Sequence, residues 1–131
     1  MTLQVSTSRF SYAGPDRIDV TRGSLLAGRW SVLAPSWDLL QETHFRIKRA
    51  AHISPEQARG FWSRYVERYT EEMRGSYRRN RDVWDELLAR PRAVIVCYCE
   101  IPERCHRTLL AGMLVKLGAV YEGEITTTRD R

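Results

Sequence analysis

The sequence AVIVCYCEIPERCHR occupies residues 93–107 and contains all three cysteines of the chain. Its apolar run at 93–96 begins a predicted strand over residues 93–99 that is buried on both faces, as in the middle of a parallel sheet. Leucine and methionine recur at helical spacing over residues 108–117 and Gly118 follows, so a helix is expected there. In α/β proteins the junction between a buried strand and the next helix is where ligands usually bind.

A strong helix start precedes this strand. Ser54 and Gln57 fit a capping box, and Pro55 suits the first helical position. The apolar face that follows predicts a long helix ending at Gly75. The other predicted elements are a short helix at 37–41, a helix from Asn80 to the residues before Pro91, and a loop at 44–53.

Three more strands are predicted, at 3–10, 17–21 and 119–125, and the second of them shows alternating polar and apolar residues. The helix between the strand at 93 and the last strand makes those two strands parallel, with a right-handed crossover. We therefore predict an α/β fold, a small three-layer sandwich with a mostly parallel central sheet flanked by helices. The 131 residues are expected to form one domain with a flexible tail at 126–131.

The composition, with 43% hydrophobic and 28% charged residues, is typical of a soluble globular protein. No apolar stretch approaches the length of a membrane span, and the first residues do not resemble a signal peptide. Three clustered cysteines make a poor disulfide framework. We therefore expect a reducing compartment, the cytoplasm, and no membrane partner.

The net charge of +5 favours phosphate-bearing partners such as nucleotides, DNA or RNA. Acidic residues are nevertheless interleaved with the basic ones, as at Arg64, Glu67 and Arg68. The charge therefore predicts an anionic small molecule or a nucleotide as the partner, with nucleic acid as the alternative.

Cys105, His106 and Arg107 open the helix that follows the buried strand. Two basic residues are unfavourable at the positive end of a helix unless an anion lies nearby. That anion is either a bound ligand or the internal Glu103. The same surroundings would lower the pKa of the Cys105 thiol and make it nucleophilic; the alternative is a small buried cysteine without a reactive role. Since histidine suits acid–base chemistry near neutral pH, the candidate catalytic residues are His106, Cys105 and Cys97.

A metal site is the alternative use of the same residues. Cys97, Cys99, Cys105 and His106 form a Cys₃His set, which is a known zinc complement. The pair at 97 and 99 lies partly inside the predicted strand, which spreads the two thiols poorly for one tetrahedron. No cofactor is therefore predicted, and zinc remains the alternative.

The chain resembles the bacterial and phage proteins grouped as domain of unknown function 488 (DUF488). The similarity covers nearly the whole chain, and the spaced cysteines followed by His106 and Arg107 are its most specific part. Cys99 departs from the pattern, since many relatives carry a charged residue there. The segments that carry the resemblance are 7–10, 21–23, 34–37, the helix with Tyr65 and Tyr69, Cys97-Tyr98, 105–107 and 121–124.

The resemblance implies a fold and a site, and it does not name a reaction. Its polar segments follow strands, so they should meet at the carboxyl edge of the sheet, where open α/β sheets bind ligands. Trp37 is either a stacking face for the ligand or a core residue, and Tyr65 and Tyr69 are expected in the core. The candidate ligand-binding residues are Ser6, Ser8, Arg9, Arg22, Ser36, Trp37 and Arg107.

Four functions remain open from the sequence. The first is an enzyme or binding domain for a phosphate-bearing ligand of the nucleotide or nucleobase type. The second is a nucleic-acid protein that processes an extruded base, with Trp37 stacking on that base. The third is a thiol-redox or zinc site, and the fourth is a non-catalytic interaction module.

Overall fold

The computed structural model describes residues 2–24, 27–41, 54–98 and 105–126. The predicted loop at 44–53, nearly all of the predicted tail, Cys99 and Glu103 lie outside these ranges. In chain order the elements are β1 (Gln4–Arg9), β2 (Arg17–Asp19), a 3₁₀ helix (Gly28–Leu33), α1 (Trp37–Leu39), α2 (Pro55–Arg79), α3 (Arg81–Leu88), β3 (Arg92–Cys97), α4 (His106–Lys116) and β4 (Val120–Ile125).

The four strands form an all-parallel sheet in the order β2-β3-β1-β4. The predicted parallel orientation of β3 and β4 is confirmed, although β1 lies between them and pairs with both. The register of the central pair runs from Gln4 opposite Arg92 to Arg9 opposite Cys97. Because parallel strands end at the same edge, Arg9, Asp19, Cys97 and Ile125 all mark the carboxyl edge of the sheet.

The core forms on one face of this sheet. Val5, Ile18 and Ile95 alternate onto that face and are fully buried. Helices α2 to α4 cover them with apolar side chains such as Trp84 and Leu114, which belong to the same buried cluster. The α/β class with a parallel sheet and flanking helices is confirmed, and the described core accounts for two of the three predicted layers.

Helix α2 begins as the sequence predicts. Gln57 N–H donates to Ser54 Oγ at 3.0 Å, and Ser54 N–H donates to Gln57 Oε1 at 2.9 Å, which completes the capping box. The helix does not end at Gly75, however, and that prediction is wrong. Ser76 Oγ donates to Val32 O at 2.7 Å and accepts from Trp84 Nε1 at 3.1 Å, so tertiary contacts carry the helix through to Arg79.

Helix α4 places the chemistry-bearing residues at its first turn. It starts at His106, with Cys105 in an extended conformation as its N-cap. Gly118 ends it with a φ of +112°, a conformation that favours glycine. Ala119 N–H donates to Leu114 O at 2.9 Å, which closes the last turn before β4 begins. Among the described helices, none combines the length and apolarity needed to cross a membrane.

The two leucines near the end of α4 allow a matched test of this core. Leu114 is fully buried, whereas Leu117 is 41% exposed. We expect Leu114→Ala to lower the free energy of unfolding by about 2–5 kcal/mol, because it leaves a cavity against the sheet. Leu117→Ala should change it by less than about 1 kcal/mol. Urea unfolding measures both, and equal losses would contradict the packing of α4 described above.

Candidate active site

Five side chains meet where β3 ends and α4 begins, and we refer to them as the thiol cluster. They are Cys97, Cys105, His106, Arg107 and Glu124. Cys97 closes β3, the next three open α4, and Glu124 comes from β4 on the far side of β1. The first four are at most 4% exposed, so water is largely excluded from their contacts.

The two cysteines lie in direct contact through their side chains. The Sγ atoms of Cys97 and Cys105 are 2.6 Å apart, and both cysteines are free thiols. This separation is shorter than van der Waals contact and longer than the roughly 2.05 Å of a disulfide bond, so the two thiols are placed to form one. The fold therefore brings together two thiols that are eight positions apart in the chain.

Arg107 bridges the thiols to a carboxylate. Its Nη1 donates to Cys97 Sγ at 3.3 Å and to Cys105 Sγ at 3.4 Å. Its Nε and Nη2 donate to the two oxygens of Glu124, at 3.2 and 2.8 Å. Burial lowers the pKa of Arg107, but its hydrogen bonds to Glu124 and its interactions with the two sulfurs outweigh burial, so the pKa is raised. The guanidinium is therefore a fixed positive charge beside both thiols.

The histidine ring is fixed by a backbone contact. His106 Nε2 lies 2.8 Å from Val20 O, a carbonyl that can only accept, so Nε2 carries a proton. In the neutral ring Nδ1 is then unprotonated, and it lies 3.9 Å from Cys105 Sγ. His106 therefore presents an acceptor to the Cys105 thiol.

Tyr69 closes the other side of the histidine. The centre of its ring is 5.7 Å from that of His106, and its hydroxyl donates to Leu33 O at 2.7 Å. Burial raises the pKa of Tyr69 well above its ordinary value, and the negative charges of Cys105 and Cys97 raise it further. Tyr69 therefore stays neutral, and it lies in the core as the sequence predicts.

Two of the predicted ligand residues lie on the opposite face of the sheet from the thiols. Ser6 and Ser8 alternate away from Cys97, and Ser8 Oγ donates to Ile125 O at 2.6 Å. Ser6 lines a separate cavity of about 320 Å³, with Tyr12 among its other walls. The structure does not bring these serines together with Arg107.

Three of the predicted ligand residues lie in the segment that follows β2, where they contact backbone groups. They are Arg22, Ser36 and Trp37. Arg22 donates to three backbone carbonyls, including Pro35 O at 2.8 Å. Ser36 Oγ caps α1 by accepting from Leu39 N–H at 3.1 Å. Trp37 is 53% exposed and lies over Gly23, where an added Cβ would come within 3.0 Å of its ring. These contacts are structural, although Arg22 and Ser36 also line one pocket of about 290 Å³.

Arg9 lies at the carboxyl edge, as expected. It lines a surface pocket of about 240 Å³ together with Phe10, Ser11 and Tyr98. Arg9 is directly opposite Cys97 in the register of β1 and β3. Arg9 therefore lies at the same edge of the sheet as Arg107, next to the end of β3.

The comparison with protein families agrees with this architecture. Residues 3–118 match the family model described as the active DUF488-N3 subclade, DUF488-N3a. The chain belongs to the DUF488 family. Comparison with curated proteins and with solved structures gives no match. Four of the five residues of the thiol cluster lie within the matched range. The fifth, Glu124, follows it in the chain.

The DUF488 chain also offers a possible metal-ligand set. Three buried residues each offer one ligand atom, and these atoms all lie within 4.8 Å of one another. The residues are Cys97, Cys105 and His106. Two thiolates and an imidazole suit zinc, and the fourth predicted ligand, Cys99, lies outside the described residues. Arg107, however, already places a positive charge 3.3 Å from Cys97 Sγ. The arrangement therefore favours thiolates paired with a guanidinium over thiolates that ligate a cation.

Sequence reasoning did not identify Glu124 as a site residue. The available signal was its place in the segment 121–124, which contributes to the DUF488 resemblance. Its contact with Arg107 depends on the position of β4 beside β1 in the sheet, which the sequence alone does not give.

Glu124 and Glu122 give a matched test of the buried charge. Glu124→Leu removes the carboxylate that faces Arg107 and leaves a fully buried guanidinium without its anion. We expect the free energy of unfolding to fall by about 3 kcal/mol. Glu122→Leu, two residues earlier on the same strand and exposed, should change it by less than about 1 kcal/mol. Chemical denaturation of both variants makes the measurement, and similar values for the two would contradict the role given to Glu124.

Proposed function

We propose that this DUF488 protein is a thiol-dependent enzyme in which Cys105 is the nucleophile and Cys97 is the second thiol of a redox-active pair. The observation that carries the proposal is the position of Arg107 Nη1, 3.3 and 3.4 Å from two sulfurs that are themselves 2.6 Å apart. A guanidinium stabilises a thiolate far more than a thiol, and the thiolate is the reactive form.

Cys105 is favoured over Cys97 as the nucleophile by its place in the fold. It is the N-cap of α4, an 11-residue helix, so its sulfur lies at the positive end of the helix dipole. Cys97 ends a strand and reaches this field only through its contact with Cys105. The Cys97 sulfur lies 2.6 Å from that of Cys105, which places it to attack Cys105 in a second step. The negative charge of the Cys105 thiolate is thus stabilised by the helix and the guanidinium.

His106 is the proposed general base, which accepts the proton of the Cys105 thiol. The hydrogen bond from Nε2 to Val20 O orients the ring, as the third group of a catalytic triad orients its base. Nδ1 then accepts the proton of the Cys105 thiol, 3.9 Å away. Such contacts are often long before a substrate is bound, so the distance is compatible with a general base.

The proposed reaction is thiol–disulfide exchange. The Cys105 thiolate attacks one sulfur of a substrate disulfide, and the leaving thiolate takes up a proton. Cys97, its proton passing to His106, then attacks Cys105 Sγ and displaces the second substrate thiolate, which also becomes a thiol. The substrate disulfide is reduced by two electrons and the Cys97–Cys105 pair is oxidised by two. Two equivalents of a low-molecular-weight thiol restore the pair, which fits the reducing cytoplasm proposed as its location.

A second candidate function is the binding of a phosphate-bearing, nucleotide-type ligand without thiol chemistry. The net charge of +5 and the pocket lined by Arg9, Phe10, Ser11 and Tyr98 favour it. The partner would be an anionic small molecule or nucleotide, with a base of a nucleic acid as the alternative. This candidate predicts that both cysteines can be replaced without loss of function, which separates it from the first.

Trapping of a mixed disulfide tests the roles of the two thiols. A Cys99→Ser background leaves Cys97 and Cys105 as the only cysteines. In that background Cys97→Ser should accumulate a mixed disulfide with oxidised glutathione, because the attacking thiol remains and the resolving thiol is lost. Cys105→Ser should not accumulate one. Intact-protein mass spectrometry makes the measurement, and the proposal fails if neither variant, or only Cys105→Ser, is modified.

A pH titration tests the role of Arg107. Thiolate absorbance at about 240 nm, taken as the difference between the background protein and its Cys105→Ser variant, should have a midpoint below the ordinary thiol pKa of about 8.5. Arg107→Lys keeps the charge and loses the fork, so the midpoint should move to higher pH. Arg74→Lys, an exposed position on α2, is the matched control and should leave the midpoint in place. An ordinary midpoint in the background protein would remove the activated thiolate from the proposal.

A further inference from the structure

Two aromatic side chains lie against each other directly after the paired ends of β1 and β3. Phe10 and Tyr98 follow Arg9 and Cys97, and their ring centres are 4.1 Å apart with an angle of 17° between the planes. The guanidinium of Arg17 lies 4.5 Å from the centre of the Phe10 ring. We call this arrangement of Arg17, Phe10 and Tyr98 the aromatic stack.

The aromatic stack is held in place by backbone contacts. Arg17 donates to Tyr12 O at 3.0 Å and to Phe10 O at 2.9 Å. Phe10 N–H donates to Cys97 O at 2.8 Å, which ties the stack to the strand that carries the first thiol. A ring fixed in this way loses little conformational freedom when it binds a second ring.

Tyr98 is the open end of the stack. Its side chain is 62% exposed, more than any other large apolar side chain of the described residues. An aromatic ring left in water at a sheet edge is a surface on which a planar group can lie, and aromatic rings are the usual platform for nucleobases. The pocket beside it holds about 240 Å³ and adds a cation from Arg9 and a hydroxyl from Ser11.

We infer that the aromatic stack binds a nucleobase and that Arg9 faces its phosphate, so that the substrate of the thiol cluster is a nucleotide-bearing disulfide. The inference names the substrate class of the proposed function and rests on it. A flat ring suits the Tyr98 face, an anion suits Arg9, and both lie at the edge where β3 ends in Cys97. The chemistry recognised, a base with a phosphate, is shared by a free nucleotide and by the end of a nucleic acid.

Binding of simple probes tests the stacking site without using the thiols. Calorimetry is carried out with AMP, adenosine and ribose 5-phosphate. AMP should bind, and adenosine should bind more weakly because it lacks the anion that faces Arg9. Tyr98→Ala should weaken AMP binding by roughly 5- to 100-fold, the range expected for loss of one stacked base. Tyr98→Phe keeps the ring and should bind AMP within about twofold of the unaltered protein, whereas Tyr98→Leu, apolar but not aromatic, should behave as Tyr98→Ala.

Arg9→Gln separates the two halves of the ligand. The variant should bind AMP more weakly and adenosine with unchanged affinity, because only the contact with the phosphate is lost. The inference is overturned if AMP does not bind, or if Tyr98→Ala and Tyr98→Leu bind it as well as Tyr98→Phe does. A 5′-phosphorylated dinucleotide that binds at least tenfold more tightly than AMP would assign the base to a nucleic-acid end, and equal binding would assign it to a free nucleotide.

Turnover of two disulfides distinguishes this inference from the proposed function. Coenzyme A disulfide carries nucleotides and oxidised glutathione does not, and both are reducible by the same dithiol chemistry. The protein should prefer coenzyme A disulfide over oxidised glutathione, and Tyr98→Ala should lose that preference. Reduction of both without preference would overturn the inference and leave the thiol enzyme standing. AMP binding that depends on Tyr98, without reduction of either disulfide, would overturn the thiol enzyme and keep the base site.

Discussion

A buried guanidinium is the constraint around which this structure is organised. Arg107 is completely enclosed, so its charge must be balanced within hydrogen-bonding distance. Glu124 balances it on one side through two hydrogen bonds, and the sulfurs of Cys97 and Cys105 accept from it on the other. Since the carboxylate comes from β4 and the sulfurs from β3 and the start of α4, the charge is satisfied only when all three elements are in register.

The same charge links the fold to the proposed chemistry. An anion beside Arg107 is stabilised in a site from which water is excluded, where electrostatic interactions are stronger than at the surface. The helix end at Cys105 adds a field of the same sign, and the His106 ring is oriented by Val20 O. The aromatic stack lies at the same edge of the sheet and is joined to β3 by the hydrogen bond from Phe10 to Cys97 O. The proposed binding surface is thus joined to the strand that ends in Cys97.

The sequence predicted what local patterns encode and missed what depends on packing. The apolar run at 93–96, the capping box at Ser54 and the stop at Gly118 are local signals, and each element was found where expected. Gly75 is a local stop signal that the contacts of Ser76 with Val32 and Trp84 override. The separation of Ser8 from Arg107 follows from strand register, and the partner of Arg107 lies 17 residues along the chain. Neither can be obtained from residue spacing alone.

The position of β4 has a consequence for the order in which the molecule is completed. During synthesis Arg107 leaves the ribosome before Glu124, because α4 precedes β4 in the chain. Until the final strand joins β1, the guanidinium has no carboxylate and would be unstable in a dry interior. The charge of Arg107 is therefore balanced by Glu124 only when the edge strand β4 has paired with β1.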